Sequence, residues 1–284
     1  MKAMPLLMSI FISLFFGCSP STKLPFDFNN PDESVKLPNS LHEISGIAFY
    51  RKNELACVQD EKGNIYFYDI QKDKLRAKLP FGKDKDYEGI AIVDDVLFVL
   101  CSNGVIYEVD GDSESKHANK YDTFLASRND AEGLCYDQEN NRLLVACKGK
   151  PGEGIAKGMK AVYSFDLSKK ELSEKPAFII DPDSIQKYLV RSSGAKSNDE
   201  SPIRFEPSEI CIDPFTANIY ILASAGKIIL VMSRTGQMLF AVRLDPEIYK
   251  QPEGLAFSQN GDLYISDEGR NGKANIIKLK RNSK

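Results

Sequence analysis

The sequence predicts an all-β fold, a β-propeller of four-stranded antiparallel blades, from three observations. A short motif, typified by Asp86 to Ala91, recurs along the chain. Each copy is followed by several short apolar runs that are separated by turn residues. The spacing of the copies is regular, because the third motif residue recurs at intervals of 43, 44, 76 and 45 residues, at Ser45, Glu88, Glu132, Ser208 and Glu253. A repeat in the forties that carries several strands is typical of propeller blades.

The second repeat illustrates how each blade is predicted. Gly89 to Val93 and Val96 to Cys101 are runs of aliphatic residues joined by two aspartates, which favour a tight turn. A Gly-containing turn precedes a third run, Val105 to Val109, and a weaker fourth run spans His117 to Phe124. The other repeats follow the same order in most cases. Each repeat is therefore expected to form one antiparallel sheet.

The closure of the ring sets the number of blades. The last repeat ends without a fourth strand, and Ser34 to Leu37, upstream of the first motif, is expected to supply it. This pairing removes two open sheet edges and gives five blades. A sixth blade would have to lie within the 76-residue interval, whose extra residues, about thirty, are too few. We interpret them as an insertion near 182–203, which contains a helix-like segment from Asp183 to Val190.

The first residues predict export and attachment to a membrane. Residues 1–17 combine a positive start with an apolar run that is short for a membrane span and typical of a signal peptide. A small residue before Cys18 resembles a bacterial lipoprotein processing site, at which Cys18 is lipidated; the alternatives are ordinary cleavage and an uncleaved anchor, with Cys18 incidental in either case. Residues 18–33 would then be a tether and 34–284 the propeller domain. The protein is expected in the bacterial cell envelope, with the membrane as a partner through its lipid anchor.

The composition argues against nucleic acid as the main partner and against a cysteine-based metal or redox site. A net charge of −3 and a pI near 5.6 argue against nucleic acid as the main partner. Five cysteines other than Cys18 recur at matching positions of apolar strands, so we interpret them as small buried side chains, and not as a metal or redox cluster. These residues are Cys57, Cys101, Cys135, Cys147 and Cys211.

Acidic residues are expected around one mouth of the central bore. The inner strand of every blade starts at the same end of a propeller, and the turn between the second and third strands opens on that end too. The acids at or before the inner strands are Glu43, Asp86, Glu88, Asp130, Glu132, Glu206, Glu209 and Glu253. The acids in the turns are Asp60, Glu61, Asp267 and Glu268.

Converging carboxylates repel one another, so protons, basic groups or a cation must compensate. Oxygen donors suit Ca²⁺, and the chain holds only two histidines, so zinc or iron is not expected. The alternative is structural: each acid could accept backbone N–H bonds from the neighbouring blade. Both interpretations stay open from the sequence. The candidate calcium ligands are Glu43, Glu88, Glu132, Glu206 and Glu253.

Basic residues on the same rim could neutralise these acids or bind an anionic ligand. They are Arg128, Lys148, Arg204 and Arg270. His42 next to Glu43 is more simply a surface histidine than a base. Gly149 to Gly158 is interpreted as a long turn between strands. The candidate ligand-binding residues at the mouth are Asp60, Asp86, Asp130, Lys148, Arg204 and Asp267.

The five ordered motifs resemble those of the SdiA-regulated family. Glu43 to Ile47, Asp86 to Ile90 and Asp130 to Leu134 carry the resemblance, together with the Gln251 to Leu255 motif and Val58 to Glu61. The resemblance covers roughly residues 35–280, and it departs where Glu209 replaces the expected Gly. It implies an exported propeller with no established reaction. A weaker similarity, through the Asp-x-Glu-Gly-Ile motif, links the chain to esterase-like and phytase-like propellers that use calcium.

Two functions are compatible with these features. The first is a tethered binding module whose acidic mouth, with or without Ca²⁺, holds a small molecule, a glycan or a partner protein. The second is a calcium-dependent hydrolase of an ester, lactone or phosphoester, in which Glu88, Glu132 and Glu253 would be ligands or bases. Binding is favoured because the sequence contains no clear nucleophile, and a propeller scaffold by itself supports either function.

Overall fold

A computed structural model describes residues 23–111, 118–192, 202–269 and 272–282. The predicted signal peptide, Cys18 and Arg270 lie outside these residues, as does most of the polar loop that follows the helix of the insertion. Within the described residues, no helix has the length and apolar character that crossing a membrane requires.

The described chain forms five radial antiparallel sheets, which confirms the predicted propeller. The chain enters through β1 (Glu33–Lys36) and then a short 3₁₀ turn (Asn39–Leu41). Blade 1 contains β2 (Ile44–Arg51), β3 (Glu54–Gln59), β4 (Asn64–Asp69) and β5 (Lys74–Pro80). Blade 2 contains β6 (Tyr87–Val93), β7 (Val96–Cys101), β8 (Ile106–Asp110) and β9 (Ala118–Tyr121).

Blade 3 differs from the others in its outer strand. It contains β10 (Ala131–Asp137), β11 (Arg142–Cys147), β12 (Lys160–Asp166), β13 (Glu171–Leu172) and β14 (Phe178–Ile180), with a 3₁₀ turn (Gln138–Asn140) after β10. Both β13 and β14 pair with β12, so the fourth strand is split into two short pieces. The helix α1 (Pro182–Ser192) follows, and it confirms the helix-like segment expected in the insertion.

The last two blades complete the ring. Blade 4 contains β15 (Glu206–Ile212), β16 (Ile219–Ala225), β17 (Ile228–Met232) and β18 (Met238–Arg243). Blade 5 contains β19 (Pro252–Phe257), β20 (Leu263–Asp267) and β21 (Asn275–Leu279). β1 pairs antiparallel with β21 as the outer strand of blade 5, which confirms the predicted closure by the N-terminal strand. Closure joins the two ends of the chain and protects a sheet edge that would otherwise be open.

The core lies between the blades, where apolar side chains of adjacent sheets interdigitate. The five cysteines of the described chain are buried and form no disulfide, in agreement with their interpretation as small core residues. Burial raises the pKa of the Cys57 thiol, and it does the same for Cys135 and Cys147. These thiols are therefore protonated and poorly reactive at neutral pH.

Glycines let the inner strands meet around the bore. A Cβ atom on Gly46 would lie 2.6 Å from the carbonyl oxygen of Glu88 and 2.9 Å from the Cα of Gly89. A Cβ on Gly133 would lie 2.8 Å from the amide nitrogen of Ile210. These distances are shorter than van der Waals contact, so the glycine of the motif is required by close packing between neighbouring inner strands.

Candidate functional site

The third residue of the motif is an extra residue in the inner strand. In blade 2, Tyr87 pairs with Cys101 and Gly89 with Leu100, which leaves Glu88 as the bulged residue. The same irregularity occurs at Glu132 in blade 3 and at Glu253 in blade 5. A bulge redirects a side chain out of the normal alternation of a strand. We call the end of the bore where these inner strands begin the mouth.

Four glutamates of the inner strands influence one another's charge, and we call them the acid cluster: Glu88, Glu132, Glu209 and Glu253. Burial raises the pKa of Glu88 well above its usual value, and the neighbouring Glu132 raises it further. Burial, followed by Glu132, raises the pKa of Glu253 to about 8. Burial likewise raises the pKa of Glu132 to about 7, although Lys148 acts in the opposite direction. The cluster therefore retains protons near neutral pH.

Lys148 is the positive group of the cluster. Its Nζ donates a hydrogen bond to Oε1 of Glu132 at 2.9 Å and lies 4.0 Å from Oδ2 of Asp130. Burial alone would lower the pKa of Lys148, but Glu132 and Asp130 raise it above the usual value. Lys148 is therefore charged, and it offsets part of the negative charge that ionisation would place in the mouth.

Glu209 differs from the other three glutamates of the acid cluster because its partners are backbone N–H groups. It is buried, and its Oε1 accepts N–H bonds from Leu134 of blade 3 at 2.9 Å and from Ile210 at 3.0 Å. The bond from Leu134 to Glu209 joins two blades, as the structural interpretation of the acids expected. It occurs at the position where Glu209 replaces the glycine of the motif. Its other oxygen, Oε2, is buried without a hydrogen-bond partner. Burial raises the pKa of Glu209 well above its usual value, which favours a neutral carboxyl group.

The remaining candidate residues occupy the rim with partners of their own. Asp267 is buried, and its oxygens accept the backbone N–H groups of Lys250 at 2.8 Å and Gln251 at 2.5 Å. Both oxygens thus hold the loop that leads into blade 5. Arg204 is exposed and bonds both carboxylate oxygens of Glu206. These pairs are complete within the chain, so they contribute little capacity to bind a ligand.

A second acidic group lies on the rim near blade 1. Glu43 pairs with Nδ1 of His42 at 2.6 Å, and hydrogen bonds from Glu268 and His42 lower its pKa. The pKa of the nearby Asp60 is raised to about 6 by burial and by Glu43. Oδ1 of Asp60 is buried and has no partner. Asp86 is exposed, and its charge contributes to the raised pKa of both Asp60 and Glu88.

A cavity of about 630 Å³ opens beside the acid cluster. Its wall is the segment 148–160, most of which was expected to be only a long turn between β11 and β12. Five basic side chains and two acids line it: Arg128, Lys148, Lys150, Lys157, Lys160, Asp130 and Glu206. We call this space the cationic cavity. Sequence reasoning missed Lys150, Lys157 and Lys160, although a segment of thirteen residues with four lysines was a usable signal.

Backbone bonds hold this wall against the segment that precedes β10. The N–H groups of Lys148 and Lys150 bond the carbonyl oxygens of Asp130 and Arg128, at 2.8 and 2.9 Å. Lys160 bonds the carbonyl oxygen of Lys148 through its Nζ, and burial lowers its pKa. The start of this wall is therefore held by paired backbone, and Lys160 is fixed beside Lys148, before any ligand arrives.

The donor chemistry of the acid cluster is compatible with a hard cation. All four side chains offer carboxylate oxygens, and Oε2 of Glu209 has no partner. Across the described residues, no three His, Cys, Asp or Glu side chains already stand around a metal position. Binding of a cation would therefore require the glutamates to rotate toward a common point and to lose their protons.

Comparisons with known proteins agree with this architecture. A profile of the family described as SdiA-regulated matches residues 33–271, a range that begins with β1 and ends between β20 and β21. A search of curated protein sequences found no match. Among solved structures, a luciferin-regenerating enzyme aligns over 88% of this chain and 95% of its own, at 13% identity and a TM-score of 0.50. A gluconolactonase candidate aligns over 86% and 77%, at 12% identity and a TM-score of 0.54. At such identities the similarity shows the fold alone.

Proposed function

Because this chain belongs to the SdiA-regulated family, we propose that it is an exported, lipid-anchored propeller that binds a small anionic ligand at its mouth. One observation carries this proposal, namely the cationic cavity beside the acid cluster. Anions pair with lysine and arginine through charge-assisted hydrogen bonds. The carboxylate of Asp130 on the same wall would accept hydrogen bonds from hydroxyl groups of the ligand. A phosphorylated or carboxylated sugar combines both kinds of group.

Affinity for such a ligand should depend on Lys160. We expect Lys160→Gln to weaken binding of a hexose phosphate or a hexonate about tenfold or more, because a half-buried lysine facing an anion is lost. Calorimetric titration of the full chain measures this change. The matched control is Lys72→Gln, which changes an exposed lysine of blade 1 and should leave affinity unaltered. Uncharged hexose should bind more weakly than either anion. Equal affinities of Lys160→Gln and the unaltered protein would contradict the proposal.

Calcium is the cation that we propose for the acid cluster. Glu88, Glu132 and Glu253 would hold it, and it would add positive charge next to the bound anion. The orphaned oxygen of Glu209 supports this role. Glu43 and Glu206, which were also candidate ligands, have other partners on the rim in His42 and Arg204.

A second function, hydrolysis of an ester, lactone or phosphoester, is favoured by one observation. Glu132 and Glu253 have pKa values raised to about 7 and about 8, next to the cationic cavity. Groups that titrate near the working pH are suited to general acid and base catalysis. Calcium-dependent appearance of product from a bound substrate would favour hydrolysis over binding alone, and recovery of the ligand unchanged would favour binding.

Export and anchoring are proposed from the first residues of the chain. We expect Cys18→Ser to abolish acylation and to move the protein from the membrane fraction to the soluble fraction, because the thiol that carries the lipid is removed. Intact mass and cell fractionation measure both effects. The control variant Thr22→Ala lies in the same tether and should keep both properties. Persistence of Cys18→Ser in the membrane fraction would contradict the proposed anchor.

A further inference from the structure

The end of the bore opposite the mouth has a different chemistry. A cavity of about 340 Å³ opens there, between the last residues of the five inner strands. Its lining is almost entirely apolar, and Arg51 is its one charged residue within the described chain. Small side chains at matching positions of all five inner strands surround the axis: Ala48, Ala91, Cys135, Cys211 and Ala256. We call this end of the bore the apolar end, after the lining of its cavity.

The described chain begins at the apolar end. Phe26 packs on Phe257, which lines the apolar cavity, with ring centroids 6.0 Å apart. The guanidinium of Arg281 lies over Phe26 at 5.2 Å and over Phe215 at 5.0 Å. The pairing of β1 with β21 supports the same placement. Glu33, the first residue of β1, pairs with Lys278 near the apolar end, and the strand then runs toward the mouth. The first described residues, through Phe26, therefore lie at the end of the molecule away from the mouth.

Tether length fixes which end can reach a membrane. Cys18 is five residues before Lys23, the first described residue, so their Cα atoms lie within about 18 Å of each other even in a fully extended chain. An inner strand of six residues, such as β19, is about 20 Å long. An acyl group on Cys18 can therefore place the apolar end on a bilayer. Turning the mouth toward the same bilayer would require a longer tether, which would have to pass around the edge of the propeller.

We propose that the apolar end rests on the lipid bilayer and that the mouth faces away from it. This inference rests on the lipid attachment proposed above, and it adds the orientation of the binding site. Phe215 supports this orientation, because its side chain lies at the apolar end and is 64% exposed. Most large apolar side chains of the described chain are buried. An exposed apolar ring can enter the boundary between headgroups and acyl chains. Orientation with the mouth outward leaves the cationic cavity open to ligands.

Fluorescence quenching from the bilayer tests this orientation. The lipidated full chain is reconstituted into vesicles of phosphatidylethanolamine and phosphatidylglycerol, with and without brominated acyl chains. One variant carries Gln259→Cys, an exposed residue at the apolar end, and the other carries Glu61→Cys, an exposed residue on the rim of the mouth. Each is labelled with the same environment-sensitive dye. The cysteines of the described chain are buried, so labelling should be confined to the new site.

We expect brominated lipid to quench the dye at Gln259→Cys at least threefold more than the dye at Glu61→Cys. Equal quenching at the two positions, stronger quenching at Glu61→Cys, or no quenching of an acylated protein that floats with the vesicles would overturn the orientation. An unacylated protein that does not float would instead overturn the lipid attachment, and the orientation with it. Phe215→Ser provides a second measurement, since it should reduce quenching at Gln259→Cys while leaving acylation and flotation unchanged.

Discussion

Raising the pH from about 5.5 to about 8 is expected to destabilise the propeller by about 3 kcal/mol or more. The pKa of Glu132 rises to about 7 in the folded protein, and that of Glu253 rises to about 8, each from 4.5. Between the unfolded and folded pKa values, the folded chain holds protons that the unfolded chain has released. Stability therefore decreases as the pH rises through this window, by about 1.4 kcal/mol per unit for each such group.

Thermal unfolding at a series of pH values measures this slope, and two variants locate its origin. Glu253→Gln should flatten the profile, because the neutral amide has no proton to lose. Asp84→Asn is the matched control: the pKa of this exposed carboxyl is lowered by Lys62, so it titrates below the window and its removal should leave the slope unchanged. A melting temperature that is constant from about pH 5.5 to about pH 8 would contradict the proton-sharing cluster.

The same titration separates protons from calcium. At about pH 8 the carboxylates are largely ionised, so added Ca²⁺ should raise the melting temperature if the acid cluster holds it, by several degrees at saturating concentration. Chelator should reverse the increase. The double variant Glu88→Gln with Glu132→Gln should lose the response to calcium. If neither calcium nor chelator changes the melting temperature, the acid cluster does not bind calcium, and its glutamates are protonated or structural.

Gly46→Ala is expected to destabilise the protein by about 3 kcal/mol, or roughly 6 to 12 °C in melting temperature for a domain of this size. The added methyl group would lie 2.6, 2.9 and 3.0 Å from backbone atoms of Glu88, Gly89 and Ile90. Backbone atoms of a neighbouring inner strand have no rotamer to change, so two blades would have to move apart. Separation of the blades would open the ring near the acid cluster.

A glycine outside the ring provides the control for this change. The nearest atom to a Cβ on Gly272 is the carbonyl oxygen of Gly269, at 3.7 Å, which is an ordinary contact. Gly272→Ala should therefore alter the melting temperature by no more than a degree or two. Equal melting temperatures of Gly46→Ala and the unaltered protein would show that the inner strands are packed less closely than the distances indicate.

The sequence by itself was sufficient for the architecture, because a propeller repeats its local signals. Alternating apolar runs and turn residues recur with each motif, so the strands of one repeat indicate those of the next. The closing strand was predictable for the same reason: the last repeat lacked one strand and Ser34 to Leu37 offered it. The matching positions of Cys57, Cys101 and Cys147 indicated burial without a structure.

The candidate site was predictable only in part. Glu88, Glu132 and Glu253 could be assigned to one group because they share a motif position, and in the folded chain the charge of Glu132 raises the pKa of both Glu88 and Glu253. The structural roles of Asp267 and Glu209 could not be predicted from the sequence. Asp267 accepts the N–H of Lys250, which lies outside the motif, and Glu209 accepts the N–H of Leu134, which is distant in sequence. The cationic cavity was missed because a long turn gives no periodic signal of its shape.

What the sequence determined is therefore the number of blades, their order and the identity of the recurring acids, since these are encoded by spacing along the chain. The tertiary structure decided which acids share protons, where Lys148 and Lys160 converge, and which end of the bore receives the start of the described chain. The physical reason is that desolvation and Coulomb interactions depend on distances through space. Those distances exist only after five sheets have closed into a ring.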